Sequence, residues 1–205
     1  MVGRITPSGV VLLGSCFKVI NNNFVTAAHV TNNDDNNLVI TFINTNVTSS
    51  YQDTSNKRIV YYPAKIKSID PLRDIAILDS VNFKSMPIPI TGSDYVNIGD
   101  NLYITGYPHC DVGRMVLTYQ TTVVGAKILI DNSSLKVKHL VLNIQTRPGQ
   151  SGSPVYKSGT GELVAMIIGA FHPETNMVAN FGNVDVYTLH QTTHAVSSEY
   201  IINML

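Results

Sequence analysis

One serine lies in a glycine-rich turn that could expose a reactive hydroxyl. Ser151 belongs to the segment PGQSGSP at residues 148–154, between two apolar runs. Glycine adopts backbone conformations that other residues avoid, so the N–H groups of Gly149 and Ser151, on either side of Gln150, could converge on one point. We expect this point to be an oxyanion hole. The alternative is an ordinary hairpin of Gly, Ser and Pro.

A serine hydroxyl is a weak nucleophile near neutral pH and needs an adjacent base, which is most often histidine. The chain has six histidines. His29 differs from the others because it ends the run FVTAA at residues 24–28, a predicted strand that finishes in two small residues. We therefore predict that His29 is the base.

An aspartate directly precedes a strongly apolar strand. Asp74 stands before IAIL at residues 75–78, where its carboxylate would be partly buried. Burial of a carboxylate is costly unless the group is paired, and accepting the N–H of an imidazole both pairs it and fixes the tautomer of the ring. Asp70 and Asp79 compete with Asp74 by proximity, and a simple turn acid is the other interpretation.

Composition excludes several classes of partner. Lys plus Arg equals Asp plus Glu at 14 each, and no basic run occurs, so we expect no binding of nucleic acid or of an anionic membrane surface. The longest apolar stretches, such as residues 163–170, are too short to cross a bilayer. These features predict a protein that works in solution.

Two further features concern the compartment. Cys16 and Cys110 are too few and too far apart in sequence for a disulfide scaffold, which favours a reducing environment. Residues 1–6 lack the apolar core and cleavage site of a secretory signal. We expect a cytoplasmic location or, for a viral protein, an intracellular location in the host.

The remaining pattern is one of short strands separated by turns, which predicts an all-β protein of the barrel or sandwich type. Two groups of strand-like runs share this pattern, at residues 10–13, 16–20, 24–27, 38–43, 58–61, 65–69 and 75–78, then at 101–105, 116–124, 126–130, 140–145, 154–156, 163–171 and 183–188. We predict an N-terminal barrel over residues 1–85, a Pro-rich connection over 86–100 and a C-terminal barrel over 101–188. Apolar residues at 195, 196, 201 and 202 predict a closing helix over 189–205.

The three chemical segments resemble those of the trypsin-like peptidases, most closely the protease domain of the HtrA (DegP-like) family. TAAHV at 26–30 is similar to the family's histidine motif, DPLRDIAIL at 70–78 to its acid motif and GQSGSP at 149–154 to its nucleophile motif. The resemblance runs from residue 14 to residue 188. It implies two six-stranded antiparallel β-barrels with the substrate between them.

The resemblance also implies roles for the site residues. His29 acts as general base and acid, Asp74 orients it, Ser151 is the nucleophile, and Gly149 to Ser151, including Gln150, forms the oxyanion hole. It is this resemblance that favours Asp74 over its neighbouring acids.

Two departures from the secreted digestive enzymes point to an intracellular, bacterial or viral relative. Gln150 stands where those enzymes carry the Asp that pairs with a newly cut N-terminus, and Val30 stands where they carry a disulfide Cys. The chain after residue 188 is too short for the PDZ domain of many HtrA proteins.

The resemblance places the specificity pocket before the nucleophile and along the strand that follows it. Thr146 matches the position at which viral 3C-like and bacterial Glu-specific proteases bind an acidic or amide side chain, but Ile167 occupies the place of their accompanying histidine. A small apolar P1 residue is expected, with Glu or Gln as the second choice. The pocket residues we name are Thr146, Arg147, Ile167, Ile168, Gly169, Ala170 and His172, and the backbone of residues 168–170 should pair with an extended substrate.

These observations predict a serine endopeptidase that acts on polypeptides through an acyl-enzyme and needs no cofactor. A catalytically idle domain that binds a partner and a protease that processes a viral polyprotein are the alternatives. His109 and Cys110 are adjacent, but no second pair at ligand spacing accompanies them, so no metal site is expected. The oligomeric state cannot be predicted from this pattern.

Overall fold

The computed structural model describes residues 1–42, 51–81, 88–171, 180–181, 184–185 and 192–205. Within these residues strands dominate, and the α-helices are limited to α1 (Ala28–Thr31) and α2 (Glu199–Ile202). The predicted all-β class is therefore confirmed. No helix in this part of the chain is long and apolar enough to cross a membrane.

The strands are numbered in chain order. They are β1 (Val2–Thr6), β2 (Gly9–Gly14), β3 (Phe17–Lys18), β4 (Asn23–Ala27), β5 (Leu38–Thr41), β6 (Tyr61–Pro63), β7 (Lys65–Asp70), β8 (Ile75–Asp79), β9 (Asn101–Gly106), β10 (Thr118–Asn132), β11 (Leu135–Leu142), β12 (Pro154–Lys157), β13 (Leu163–Phe171), β14 (Asn180–Phe181), β15 (Val184–Asp185) and β16 (Thr192–Ser197).

The first eight strands form two antiparallel sheets, in the orders β2-β1-β5-β6 and β3-β4-β8-β7. Only Ser15 and Cys16 separate β2 from β3, and only Ala64 separates β6 from β7. Each of these pairs is therefore one bent strand that belongs to both sheets. Six runs of chain close the first barrel in this way, as predicted.

Strands β4 and β8 lie at the centre of the first half. Their paired residues run from Asn23 opposite Asp79 to Ala27 opposite Ile75. The side chains of residues 75–78 are fully buried in an apolar cluster that also contains Val137, Met166 and Val196 of the second half. Because one continuous core joins the halves, the ends of β4 and β8 are held in a fixed position beside the second barrel.

The second half is a closed barrel in the order β10-β11-β16-β13-β12-β9. Its interior is filled by a separate apolar cluster, which includes Leu102, Ile104, Leu140, Val155 and Ala195. Strand β16 closes this barrel by pairing with both β11 and β13.

The predicted helix over residues 189–205 is wrong. Residues 192–197 form the last strand of the barrel, and only the four residues of α2 are α-helical. The boundary predicted at residue 188 is consequently too early. Apolar residues at 195, 196, 201 and 202 fit a helical spacing, but Ala195 faces the barrel interior and Val196 faces the first half, as the alternation of a strand requires.

Candidate active site

His29 is placed by the end of β4. The strand ends at Ala27, and α1 begins at Ala28, so that His29 lies in the first turn of a short helix. The small side chains at 27 and 28 are buried and let another segment approach closely: the N–H of Ala28 donates to the carbonyl oxygen of Asp74 over 3.1 Å. The imidazole is half exposed, with 50% of its side-chain surface accessible.

Both carboxylate oxygens of Asp74 contact His29. Oδ2 lies 2.6 Å from Nδ1 of the ring, and Oδ1 accepts the backbone N–H of His29 over 2.8 Å. A nitrogen that faces a carboxylate carries the proton, so Nδ1 is the donor and Nε2 is the basic nitrogen. The predicted pair is therefore brought together in the tautomer that a general base requires.

The turn that carries Asp74 is braced from both halves of the molecule. Asp74 has a positive φ of 57°, which an L-residue seldom adopts without support. Asp70 forms an ion pair with Arg73 and accepts its backbone N–H over 3.1 Å. The Arg73 guanidinium lies 4.5 Å from the ring centroid of Tyr200, whose hydroxyl oxygen accepts the N–H of Lys138. Asp70 is thus part of the brace rather than a partner of the base.

The nucleophile turn depends on two glycines with positive φ. Gly149 has φ 84°, and a Cβ there would lie 2.8 Å from the backbone nitrogen of Cys110. Gly152 has φ 83°, and a Cβ there would overlap the carbonyl oxygen of Ser15. Neither position has room for a side chain, and this explains the pattern that the sequence showed.

Two backbone donors of this turn are unused. Among the described residues, the N–H groups of Gly149 and Ser151 have no hydrogen-bond acceptor. The N–H of Gln150, in contrast, donates to the carbonyl of Arg147 over 3.1 Å. The side chain of Gln150 is fully buried, and its Oε1 accepts the N–H of Arg147 over 2.8 Å. Gln150 therefore shapes the turn, while its neighbours supply the free donors.

Ser151 is half-buried at the boundary of the two barrels. Its carbonyl oxygen accepts the N–H of Ser15, from the first barrel, over 2.9 Å. Its hydroxyl lies 3.4 Å from the carbonyl oxygen of Ile168, a long and weak contact. Within the described part of the chain no hydrogen bond joins Ser151 to His29.

A family model for the trypsin-like peptidase domain matches residues 14–166, three quarters of the chain. The chain belongs to the trypsin-like peptidase family. Its matched region contains the histidine, aspartate and serine segments described above. A search of the curated proteins found no match.

Solved structures with the same fold include several proteases. The HtrA-type protease AlgW with decapeptide aligns with a TM-score of 0.67 at 16% identity, over 96% of this chain and 51% of that chain. The MamO protease domain from Magnetospirillum magneticum aligns at 0.65 and 16% identity, over 94% and 88% of the two chains. Rv3671c from M. tuberculosis H37Rv aligns at 0.64 and 15% identity, over 99% and 83%. The chain thus spans about half the length of the AlgW chain.

Strand β13 leaves one edge open beside Ser151. It pairs with β12 only as far as Met166, whereas its pairing with β16 continues through residues 169–171. Ile168, Gly169 and Ala170 therefore have no described strand on the side that faces the nucleophile turn. An extended segment of another polypeptide could pair there.

Thr146, one of the predicted pocket residues, is buried. Its N–H donates to Oγ1 of Thr193 over 3.0 Å, and the two hydroxyl oxygens lie 3.2 Å apart. Thr193 Oγ1 in turn donates to the carbonyl oxygen of Ile144 over 2.6 Å. Since a hydroxyl has one proton, the proton between the two threonines belongs to Thr146. Thr193, whose role the sequence did not reveal, is part of this site.

The other predicted pocket residues are distributed differently. Arg147 is exposed and donates to the side-chain oxygen of Gln145 over 3.0 Å. Ile167 is buried in the core of the second barrel, because strand alternation turns its side chain inward, and its role in the pocket stays a prediction. His172 lies outside the described residues.

A second histidine that the sequence analysis overlooked is buried on β11. His139 is 5% exposed, and its Nδ1 has no hydrogen-bond partner among the described residues. Burial, together with the nearby His194 ring, lowers the pKa of His139 to about 4, while the Asp74 carboxylate opposes the shift. His139 is therefore neutral at pH 7. The described residues contain no group of three or more His, Cys, Asp or Glu that could hold a metal ion.

Proposed function

We propose that this chain is a serine endopeptidase in which Ser151 is the nucleophile, His29 the general base and Asp74 the residue that orients the base. The observation that carries the proposal is the arrangement of Asp74, which holds His29 through both carboxylate oxygens and leaves Nε2 basic. The two unused N–H groups of Gly149 and Ser151 support the same assignment.

The proposed reaction follows from these groups. Ser151 Oγ attacks the carbonyl carbon of the scissile peptide while Nε2 of His29 takes its proton. The carbonyl oxygen takes the electron pair of the C=O double bond and becomes an oxyanion, which accepts hydrogen bonds from the N–H groups of Gly149 and Ser151. The histidine then gives its proton to the leaving amine as the C–N bond breaks. Water then attacks the ester carbon of the acyl-enzyme while His29 takes its proton. The proton passes to Ser151 Oγ as the bond between this oxygen and the acyl carbon breaks, which releases the acid product.

The serine must approach the base for this reaction to begin. Its hydroxyl now lies near the carbonyl oxygen of Ile168 at 3.4 Å, a contact too weak to hold the side chain. Rotation about its Cα–Cβ bond changes the direction of Oγ without any movement of the backbone. Catalytic hydrogen bonds of this kind are commonly long without substrate and shorten when substrate binds.

We further propose that the substrate is an extended polypeptide with a small apolar P1 residue. The open edge of residues 168–170 would pair with its backbone. The hydroxyl proton of Thr146 is already donated to Thr193, whose own proton goes to Ile144. Thr146 therefore offers no free proton to an acidic side chain, and this favours an apolar residue over Glu.

The proposal is tested by labelling with a fluorophosphonate probe and mapping the modified peptide by mass spectrometry. We expect an adduct on Ser151 that is lost in Ser151→Ala. The matched control is Ser153→Ala, two residues away, where the native hydroxyl is buried without a partner among the described residues. Labelling of this control should equal that of the native chain.

Failure to label a folded native chain would overturn the serine mechanism and favour a domain that binds polypeptide without cutting it. If labelling succeeds, cleavage of a peptide library defines P1. A preference for Glu at P1 would contradict the interpretation of Thr146.

A further inference from the structure

The Pro148–Gly149 peptide is held from outside the nucleophile turn. The carbonyl oxygen of Pro148 accepts the backbone N–H of His109 over 2.6 Å. In a planar trans peptide the C=O and the following N–H point in opposite directions. A donor that fixes the Pro148 carbonyl therefore also fixes the direction of the Gly149 N–H, one of the two unused donors.

The second unused donor is fixed in the same way but from within the turn. The carbonyl oxygen of Gln150 accepts the N–H of Ser153 over 2.9 Å, which directs the N–H of Ser151 to the opposite side. In each of the two peptide groups that contain a free N–H, the carbonyl oxygen thus accepts a hydrogen bond. Only the one at Pro148 depends on a distant segment.

That segment is the turn at residues 107–113, which packs directly on Gly149. A Cβ at Gly149 would lie 2.8 Å from both the nitrogen of Cys110 and the carbonyl oxygen of Tyr107. Burial raises the pKa of the Cys110 thiol to about 11, so it stays protonated and donates weakly to the Gly149 carbonyl at 3.5 Å. No side chain or gap separates the two segments.

The turn depends on an unusual backbone conformation at His109. This residue has φ 62° and ψ 24°, the left-handed region, and lies directly before the 3₁₀ turn Cys110–Val112. Glycine and asparagine adopt this region readily, while β-branched residues resist it. The direction of the His109 N–H therefore depends on which residue type occupies position 109.

A glutamine from the first half anchors the far end of the same segment. The Gln52 amide donates to the carbonyl of Leu117 over 2.8 Å and accepts its N–H over 2.8 Å, so that one side chain satisfies both backbone groups. At the near end, the N–H of Tyr107 donates to Ser15 Oγ over 3.1 Å. Residues 107–117 are thus held at both ends by the first barrel.

We infer that His109 is a positioning residue whose backbone N–H keeps the Gly149 N–H directed toward the oxyanion, with Gln52 as the anchor of its segment. This inference rests on the proposed serine mechanism. Loss of the hydrogen bond from the His109 N–H to the Pro148 carbonyl frees the Pro148–Gly149 peptide to rotate. This removes one oxyanion donor but leaves the proposed substrate-pairing edge of β13 intact.

The test compares His109→Val with His109→Asn. We expect His109→Val to lower kcat about 10²-fold, the usual effect of losing one oxyanion donor, with KM within about threefold of the native value. His109→Asn tolerates the left-handed conformation and should restore kcat. A peptide aldehyde, which forms a tetrahedral oxyanion on the serine, should bind His109→Val about 10²-fold more weakly. The corresponding peptide alcohol should bind all three proteins equally.

Gln52→Leu provides a second test that does not depend on whether His109→Val folds. It should weaken binding of the aldehyde more than binding of the alcohol. An equal loss of affinity for the aldehyde and the alcohol would overturn the positioning role of His109 while leaving the serine mechanism in place. Native kinetics in both His109→Val and Gln52→Leu would do the same. A native chain that is inactive and unlabelled would instead contradict the serine mechanism itself.

Discussion

The two halves of the candidate site are built in different ways. His29 and Asp74 follow and precede strands that are direct neighbours, so the register of β4 and β8 brings them together and their own atoms form the contacts. The Ser151 turn is supported by residues distant in sequence, among them Ser15 and His109. The position of the proposed base is therefore set by the pairing of two neighbouring strands, whereas the proposed nucleophile and oxyanion donors depend on contacts among several loops.

The largest effect should come from the pair of His29 and Asp74, because both carboxylate oxygens of Asp74 contact His29. Asp74→Asn keeps the shape but removes the charge that fixes the tautomer of His29, and we expect kcat to fall by about 10⁴-fold. Steady-state peptide hydrolysis measures this. Asp79→Asn, an exposed acid at the end of the same strand, is the matched control and should retain native kcat. Similar losses in both variants would show that Asp74 has no special role.

A smaller loss is expected when the packing of the nucleophile turn is disturbed. Gly149→Ala places a Cβ against Cys110 at a positive φ, and we expect kcat to fall about 10²- to 10³-fold as one oxyanion donor is displaced. Gly159→Ala is the control, because Gly159 has φ 89° with nothing within 4 Å of a Cβ. It should lose stability only, by about 1 kcal/mol in urea unfolding. Native activity in Gly149→Ala would argue against the oxyanion assignment.

The brace of the acid turn should contribute less again. Tyr200→Leu removes the ring beneath Arg73, and we expect a loss of about 1–2 kcal/mol in the free energy of unfolding and a several-fold drop in kcat. Tyr200→Phe keeps the ring but loses the hydroxyl that accepts the Lys138 N–H, so it should lie between Leu and the native residue. If the Phe and Leu variants behave alike, the hydroxyl rather than the ring supplies the brace.

The last prediction concerns how stability depends on pH rather than catalysis. The pKa of His139 is lowered to about 4 in the folded chain, so the unfolded chain binds the extra proton between about pH 6.5 and pH 4. Stability should therefore be complete above pH 6.5 and fall as the pH drops through this window, by at most about 1.4 kcal/mol per pH unit. His139→Met should flatten this part of the profile in thermal unfolding. An unchanged slope would assign the acid sensitivity to other groups.

Local patterns in the sequence were enough to propose the site residues, although the choice of Asp74 over Asp70 and Asp79 also needed the family resemblance. In the sequence, His29 follows small residues, Asp74 precedes an apolar strand, and Ser151 lies between nearby glycines. The structure shows that these glycines have positive φ. Such signatures follow from backbone geometry within a few residues. The fold class followed from the strand rhythm for the same reason.

The supports of the nucleophile turn could not be predicted, because they depend on contacts between distant segments. Nothing near Ser15, Gln52 or His109 in the sequence indicates that each one forms a hydrogen bond to a loop of the other barrel or of its own. The error at residues 192–197 has a similar origin. Barrel closure decides the conformation of that segment, and a short apolar pattern fits strand and helix equally well.

The brace at Tyr200 has a consequence for the order of events during synthesis. Strands β1 to β8 end at residue 79, so the ribosome produces the whole first barrel before any strand of the second. A nascent chain at that stage has His29 and Asp74 but neither the serine nor the ring that supports Arg73. The complete candidate site can assemble only after α2 has emerged from the ribosome, so translation would delay any cleavage of neighbouring chains until both barrels have been made.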